Sequence, residues 1–500
     1  MLSSKSIGIL GGGISGLSTA WYLSRLFSPS TKITILESSN RLGGLLNTKK
    51  IDSSRGTIYF EEGPRSLKPT GISGYITLDM IKKLDLINEM ILVPKNSPLI
   101  KNKYIYFQNQ LNALPNSLLS AFISKTPILR SFLWAIISEP FKPIRNKNIS
   151  DETISSFISR RFNTSISENL VSAFIHGIYA GDINDLSIKS TFPHLWNYEE
   201  LYGSVLKGVL FNRISLNKNE ENIKSTIEKD SEDIIKKTKN TYIYSFKNGL
   251  GTLSNAISND LFTRDNVHIY FNSEIKSLEF NNIFKIKTNT SEFYFDHLIS
   301  ALPIQVLTKL LDPFKKLTKS FSSTTILVVN LFFDNPNLLP IQGFGYLIPK
   351  SISEEENPEQ ALGVIFDSNS FPELDTYKGT KMTVMIGGSF WKHKTIFPKE
   401  SEFIALARNV ISRHLGIKDT PVIVNYKLQK NSIPQYNLGH HQDLKNIHNY
   451  VYNTYKGNLS LVGNFYGGIG VNDCIKNAYF LVRRLKKKGK ATGLEFVKSN

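Results

Sequence analysis

Near its amino end the chain reads Gly11-Gly-Gly13-Ile-Ser-Gly16, and no other stretch restricts the fold so tightly. The five residues before it, Ser6-Ile-Gly-Ile-Leu10, predict a short apolar strand. Residues 17–26 carry helical spacing, and Lys32-Ile-Thr-Ile-Leu36 predicts a second strand. Together they make a βαβ unit in which each glycine meets a separate steric demand. Gly11 permits the tight turn, Gly13 lets backbone approach a diphosphate, and Gly16 lets the helix pack closely on the strand. The helix amino terminus adds free N–H groups and the positive end of a dipole. Glu37 closes the second strand, about 20 residues beyond the turn. A carboxylate there accepts hydrogen bonds from both ribose hydroxyls, which favours FAD or NAD over a 2′-phosphorylated cofactor. Alone, the turn is only glycine-rich and Glu37 only a solvated acid; their spacing makes them a dinucleotide site.

Composition narrows the rest. Five hundred residues predict two or three domains, with 41% hydrophobic and 20% charged residues in an ordinary globular balance. The single cysteine, Cys474, excludes an intramolecular disulfide, a zinc ribbon and an iron–sulfur cluster, and no metal site is expected. A net charge of +18 comes mostly from scattered lysines. With no arginine-rich helix, zinc finger or RNA-binding aromatic motif, nucleic acid is not an expected partner. An anionic membrane surface or an acidic small molecule stays open. No Ser–His–Asp or Cys–His arrangement is found.

Along the chain, residues 116–140 read as an amphipathic, aromatic helical stretch (Phe122, Phe132, Trp134) interrupted by Lys125 and Arg130. Residues 118–137 suit lying in a membrane interface, with a buried core helix as the alternative. Residues 213–240 are polar and charged and predict an exposed, flexible insertion; residues 351–360 predict a surface loop. From about residue 241 strands are expected at 268–271, 284–288, 325–333 and 381–386. A strand at 459–462, a glycine turn and a helix over 473–485 close the chain. The first strand starts so near the initiator that no cleavable targeting peptide is expected. No run of about 20 apolar residues predicts a transmembrane helix.

Three further segments follow the glycine turn: Ser38-Ser-Asn-Arg41-Leu-Gly43-Gly44, Glu62-Gly-Pro-Arg65, and Gly463-Asn-Phe-Tyr-Gly-Gly-Ile-Gly-Val-Asn472. In this order they resemble the two-dinucleotide-binding flavoprotein family of amine oxidases, phytoene desaturases and protoporphyrinogen oxidases. The runs 343–349 (GFGYLIP), 383–388 (TVMIGG), 433–439 (IPQYNLG), 178–182 (IYAGD) and 471–474 (VNDC) are similar to its protoporphyrinogen oxidase branch, of the fungal and mitochondrial type. The resemblance covers the chain apart from 213–240.

The resemblance implies an α/β fold: a Rossmann-like, two-dinucleotide-binding FAD domain, a β-sheet-based substrate domain and a helical, membrane-facing insert. Their expected extents are 1–95, 246–300 and 455–495 for the FAD domain; 96–108, 195–245 and 301–454 for the substrate domain; and 109–194 for the insert. It implies non-covalent FAD held by Gly11, Gly12, Gly13, Ile14, Ser15, Gly16, Glu37, Arg41, Gly43, Gly44, Leu45, Gly63, Pro64, Arg65, Ser66, Ile275, Asn464, Ile469, Gly470 and Val471. It implies oxidation of protoporphyrinogen IX to protoporphyrin IX with O2, giving H2O2, in heme biosynthesis. The porphyrinogen pocket falls on Lys103, Gly177, Phe344, Leu347 and Met385; ordinary core packing is the alternative for the last three. Lys103 stands where the family usually has a propionate-pairing arginine, so the bidentate fork becomes a point charge. His176 takes a position often basic in relatives and is given no chemical role. Cys474 is expected to be a small buried hydrophobe, and no catalytic base is named. Peripheral placement on the mitochondrial inner membrane, a homodimer and ferrochelatase as partner are also implied. The rivals are a family oxidase or desaturase acting on an amine or polyene, and a flavin-free GDI-like protein binding prenylated partners.

Overall fold

The computed structural model describes residues 6–115, 134–211 and 218–498. A five-stranded parallel sheet runs in the order Leu459–Leu461, His297–Ser300, Ser6–Leu10, Lys32–Leu36, Val267–Tyr270. Its centre is the first strand, paired residue for residue with its neighbours (Ile9 opposite Ile35 and Ile299). The chain's start, middle and end are therefore hydrogen-bonded into one layer. Covered on both faces, the inner strands are almost wholly buried rather than alternating, and only the edge strand Val267–Tyr270 alternates. Helices Ile14–Leu26, Gly71–Lys83, Gly251–Phe262 and Val471–Lys488 bury their apolar stripes against one face, around Leu17, Ile81, Leu253 and Val482.

The second layer is a seven-stranded mixed sheet, ordered Ile423–Tyr436, Phe321–Phe333, Thr380–Gly387, Ala361–Phe366, Gly345–Leu347, Tyr104–Phe107, Gln110–Ala113. All its pairs are antiparallel except Gly345–Leu347 with Tyr104–Phe107. In its long second strand everything from Thr324 to Phe333 is buried. The start of that strand is polar (Phe321-Ser-Ser-Thr-Thr325), which is why the sequence predicts it only from residue 325.

The helical region packs Phe157, Ile175, Trp196 and Val205 from helices Ile154–Arg161, Ser172–Tyr179, Pro193–Tyr202 and Val205–Phe211. Its base is a buried ionic knot. Arg161 donates through Nε to Glu139 (2.8 Å), and Glu139 accepts from the Val205 and Leu206 N–H groups (2.9 and 3.2 Å). Burial would raise the pKa of Glu139, but the Ser204 hydroxyl, these amides and Arg161 hold it below the usual carboxylate range.

One expectation needs correction. The described part of 213–240 folds into helices Lys218–Asp230 and Glu232–Thr238, and Ile223, Ile227 and Ile234 are buried in the core beside the parallel sheet. The isoleucines keep a helical stripe, and the charged residues around it mask that stripe in composition. Most of the 118–137 stretch lies outside the described residues; from 134 to 138 the chain is helical.

Candidate active site

At the glycine turn, Gly11 adopts φ +96°, which L side chains rarely tolerate. A Cβ on Gly16 would lie 2.0 Å from the Gly11 carbonyl oxygen, so only glycine lets helix Ile14–Leu26 start where it does. Gly13 is different: a Cβ there would meet nothing nearer than Gly44 Cα at 3.9 Å. Gly13 forms a bridge with Gly43, whose N–H donates to Gly12 O (2.9 Å), so two strips of backbone face each other. No side chain caps the helix and its first turn holds no acid, which leaves the terminal N–H groups of Ile14 and Ser15 suited to an anion. Helix Val471–Lys488 begins alongside, with Gly470 as an equally uncapped amino terminus and a Ser15 contact to Cys474. This donor set fits the diphosphate of a dinucleotide.

Glu37 is fixed rather than solvated. Its Oε2 accepts from Gly12 N–H (2.7 Å) and its Oε1 from the Ser39 N–H and hydroxyl (2.8 and 2.7 Å), which holds the carboxylate beside the glycine turn. Arg41 curls back to donate to the Leu42 and Gly44 carbonyls (3.2 and 2.7 Å) and so closes the Gly43–Gly44 loop. Gly63 touches this loop, since a Cβ would sit 2.2 Å from Leu45 O. Pro64 is exposed and Ser66 half-buried. Arg65 pairs with Asp367 of the second sheet (2.6 Å). Ile275 opens the three-stranded sheet and packs half-buried beneath the parallel one. Ile469 packs on the helical cluster and Val471 on the main core.

The substrate-side residues form two groups. Leu347, Gly363, Met385 and Val328 occupy one register row across four strands. Gly177 approaches this row from helix Ser172–Tyr179, where a Cβ would lie 2.8 Å from Leu347 Cδ2. Phe344 does not join them; it packs with Tyr242 on Ile91, Val93, Ile243 and Phe371. Lys103 is exposed beside it, with Nζ 3.4 Å from the Tyr242 hydroxyl. His176 is buried, and burial lowers its pKa to about 4. Its Nδ1–H donates to Ile348 O (2.8 Å), so the ring is neutral and offers no charge to a carboxylate. Cys474 is buried too, its thiol pushed up to about 11.

Sequence reasoning missed the ties between the layers. Tyr436, within the quoted 433–439 run, donates to Asn464 O (2.5 Å) and accepts from Gly468 N–H (3.0 Å), clasping the carboxy-terminal glycine loop. Buried Glu61 accepts from Leu250 N–H (2.6 Å) and the Thr48 hydroxyl (2.8 Å), and burial raises its pKa to about 7. A separate cavity of about 1020 Å³ lies along helix Val471–Lys488, lined by Ile223, Phe480, Arg483 and Lys487. It is a basic groove on the outer side of that helix, and none of the predicted substrate residues lines it.

The family model for flavin containing amine oxidoreductase matches residues 14–484. Protoporphyrinogen oxidase of Schizosaccharomyces pombe is 36% identical over 492 residues, covering 96% of this chain and 98% of that protein. The Homo sapiens protoporphyrinogen oxidase is 33% identical over 484 residues, covering 95% and 96%. Among solved structures, a candidate protoporphyrinogen oxidase from Exiguobacterium sp. 255-15 has a TM-score of 0.76 at 19% identity, covering 98% of this chain and 100% of that one. Reduced UDP-galactopyranose mutase has a TM-score of 0.68 at 14% identity, covering 99% and 98%. At these identities the two structures bear on the fold alone.

Proposed function

The chain belongs to the flavin-containing amine oxidoreductase family, and from that premise we propose that it oxidises protoporphyrinogen IX to protoporphyrin IX in heme biosynthesis, with FAD as cofactor. The observation that carries the reading is that likeness to protoporphyrinogen oxidases runs the whole chain, through the substrate sheet as well as the glycine cradle. The reaction removes six hydrogens in three two-electron steps, each taking a hydride from a bridge carbon; of the three protons lost, two come from pyrrole nitrogens and one from the fourth bridge carbon by tautomerisation. Bound FAD supplies the hydride-accepting chemistry. The protein's residues supply place and shape. The Gly11–Gly16 and Gly43–Gly44 backbones hold the diphosphate, and Glu37 holds the ribose. Leu347 and Met385 present an apolar wall to a flat ring, and Gly177 leaves the Leu347 side chain the space it needs to take its place in that wall. Phe344 walls the cleft mouth, and Lys103 orients a propionate there. Pyrrole protons leave to solvent: burial lowers the pKa of His176 to about 4, which makes it a weak base, and its Nε2 lies against the Ser389 hydroxyl (3.3 Å). O2 is the proposed reoxidant, giving H2O2 at each step.

The reading extends to location: a peripheral protein of the mitochondrial inner membrane, with 109–194 facing lipid, and with a second copy and ferrochelatase as partners. Supporting it, the helical region exposes Trp134 (75%), Phe141 (87%), Leu201 (72%), Leu210 (78%) and Phe211 (72%) around the Arg161–Glu139 knot. Such an apolar surface suits a lipid interface. Among the described residues no helix is long and apolar enough to cross a membrane.

The test is an aerobic assay of the purified protein with protoporphyrinogen IX. Porphyrin fluorescence should rise with enzyme concentration, and acid should release FAD. A yellow, FAD-replete protein that leaves protoporphyrinogen untouched but oxidises an amine or polyene would replace this reading. A colourless one that binds prenylated protein would remove it altogether.

A further inference from the structure

Two lysines converge on one tyrosine beside Phe344. Lys103 Nζ lies 5.5 Å from the centroid of the Tyr242 ring, and Lys68 Nζ lies 5.7 Å from the same centroid. Both side chains are exposed, and among the described residues neither is ion-paired with a carboxylate. Two like charges on mobile stems repel and would ordinarily swing apart. Here the Tyr242 ring attracts Lys68 and the Tyr242 hydroxyl lies 3.4 Å from Lys103 Nζ, and the backbone beneath each is pinned. Leu67, next to Lys68, exchanges both main-chain hydrogen bonds with Tyr244 (2.9 Å each). The Lys68 carbonyl accepts from Asn472 Nδ2 (2.9 Å), at the end of the carboxy-terminal glycine loop. On the other side, the carbonyl of Asn102 accepts from Phe344 N–H (3.4 Å), and Phe344 and Tyr242 share one apolar cluster.

We infer that Lys68 and Lys103 form a two-cation clamp, braced by Tyr242, for the two propionates on one edge of the tetrapyrrole. Resting on the tetrapyrrole reading above, it makes Lys68 a residue that determines substrate orientation and specificity. A single lysine cannot fix a carboxylate as an arginine fork does. Two point charges on adjacent propionates restore what one loses, because gripping both arms stops the ring rotating in its plane. That selects which bridge carbon is presented to the cofactor. The clamp also distinguishes dicarboxylate from neutral tetrapyrroles by charge balance alone.

The experiment uses the holoenzyme and the variants Lys68→Met, Lys68→Arg and Lys103→Met, with protoporphyrinogen IX and its dimethyl ester at low salt and at ~0.5 M salt. Lys68→Met should raise KM for the diacid about five- to tenfold at low salt. It should leave the diester KM and the FAD content unchanged, and the difference should shrink at high salt. Lys68→Arg should restore the diacid KM, which a merely structural role for the lysine stem would not explain. Binding of protoporphyrin IX and its dimethyl ester, followed by quenching of protein fluorescence, needs no turnover. If the wild type oxidises protoporphyrinogen but Lys68→Met changes neither assay, or weakens diacid and diester alike, the clamp is overturned and the activity stands. If the wild type turns over no substrate yet binds the diacid porphyrin through Lys68, the clamp stands and the oxidase reading falls.

Discussion

Glycine shapes both the cofactor cradle and the substrate wall, but toward different neighbours. In the cradle an added Cβ would strike backbone: Gly16 against the Gly11 carbonyl at 2.0 Å, Gly63 against the Leu45 carbonyl at 2.2 Å. At the wall the helix side differs: Gly177 would strike the end of a flexible side chain, Leu347 Cδ2 at 2.8 Å, whereas Gly363 within the sheet would meet the Tyr346 carbonyl oxygen at 2.6 Å. Backbone held in a helix and a sheet cannot yield, whereas a leucine can change rotamer at modest cost. The cradle is thus a rigid template for a fixed cofactor. Where helix Ser172–Tyr179 meets Leu347 the wall is softer, adjustable through that one side chain.

The largest expected effect comes from breaking the template in two ways. Gly16→Ala forces the helix away from the first strand and should abolish both FAD retention and stable folding. Gly13→Ala should not: φ is −71° and the nearest atom to the new methyl is 3.9 Å away, so the apo fold survives. That methyl would occupy the space assigned to the diphosphate, and FAD should be lost on purification. Thermal melting and flavin absorbance separate the two. A Gly13→Ala protein that stays fully yellow would mean that the diphosphate lies elsewhere.

Next in size is the wall. Gly177→Ala should lower kcat/KM about tenfold, or ~1.4 kcal/mol, with FAD content unchanged. Adding Leu347→Ala should recover part of the loss, because the clash is with that side chain. If Gly177→Ala instead lost flavin and folded poorly, the wall would be as rigid as the cradle and the contrast would fail.

The same contrast explains what could be read from the sequence. Backbone demands select particular residues at particular spacings, so Ser6–Leu10 and Lys32–Leu36 come out residue for residue, while the helix starts at Ile14, three residues inside the expected turn. Side-chain surfaces are assembled across strands that pair far apart in sequence. Leu347 and Met385 come together only through the register of Gly363, and no spacing announces it. Phe344, three residues from Leu347, belongs to a separate apolar cluster because it precedes the strand that carries Leu347. Lys68 stands three residues beyond the quoted segment that ends at Arg65, and only the bridge of Leu67 to Tyr244 brings it beside Tyr242. Helices 218–238 were obscured by charged residues around three isoleucines.

The smallest expected effect lies at the seam between the two regions. Glu61 links them: its carboxyl accepts from Leu250 N–H and the Thr48 hydroxyl, and its carbonyl accepts from Asn330 Nδ2 (3.2 Å) of the long second-sheet strand. Burial raises its pKa from 4.5 to about 7, outweighing those two hydrogen bonds and the pull of Arg65 and Lys381. Because the folded state holds this proton more tightly than the unfolded one, Glu61 contributes stability below about pH 4.5 that is lost as pH rises through about 7. A shift of this size corresponds to at most about 3 kcal/mol. Glu61→Gln keeps an acceptor for Leu250 N–H, turns an amide N–H toward the Thr48 hydroxyl, which can accept it, and cannot ionise, so it should lack this dependence. The melting temperature of the wild type minus that of Glu61→Gln should therefore fall by roughly 3 °C between about pH 5 and pH 8. Measuring the pair in the same buffers cancels the buried histidines, which titrate in both. A constant difference across that range would mean that Glu61 is ionised throughout. The seam would then be held by charge rather than by a neutral acid, as firmly fixed as the cradle it adjoins.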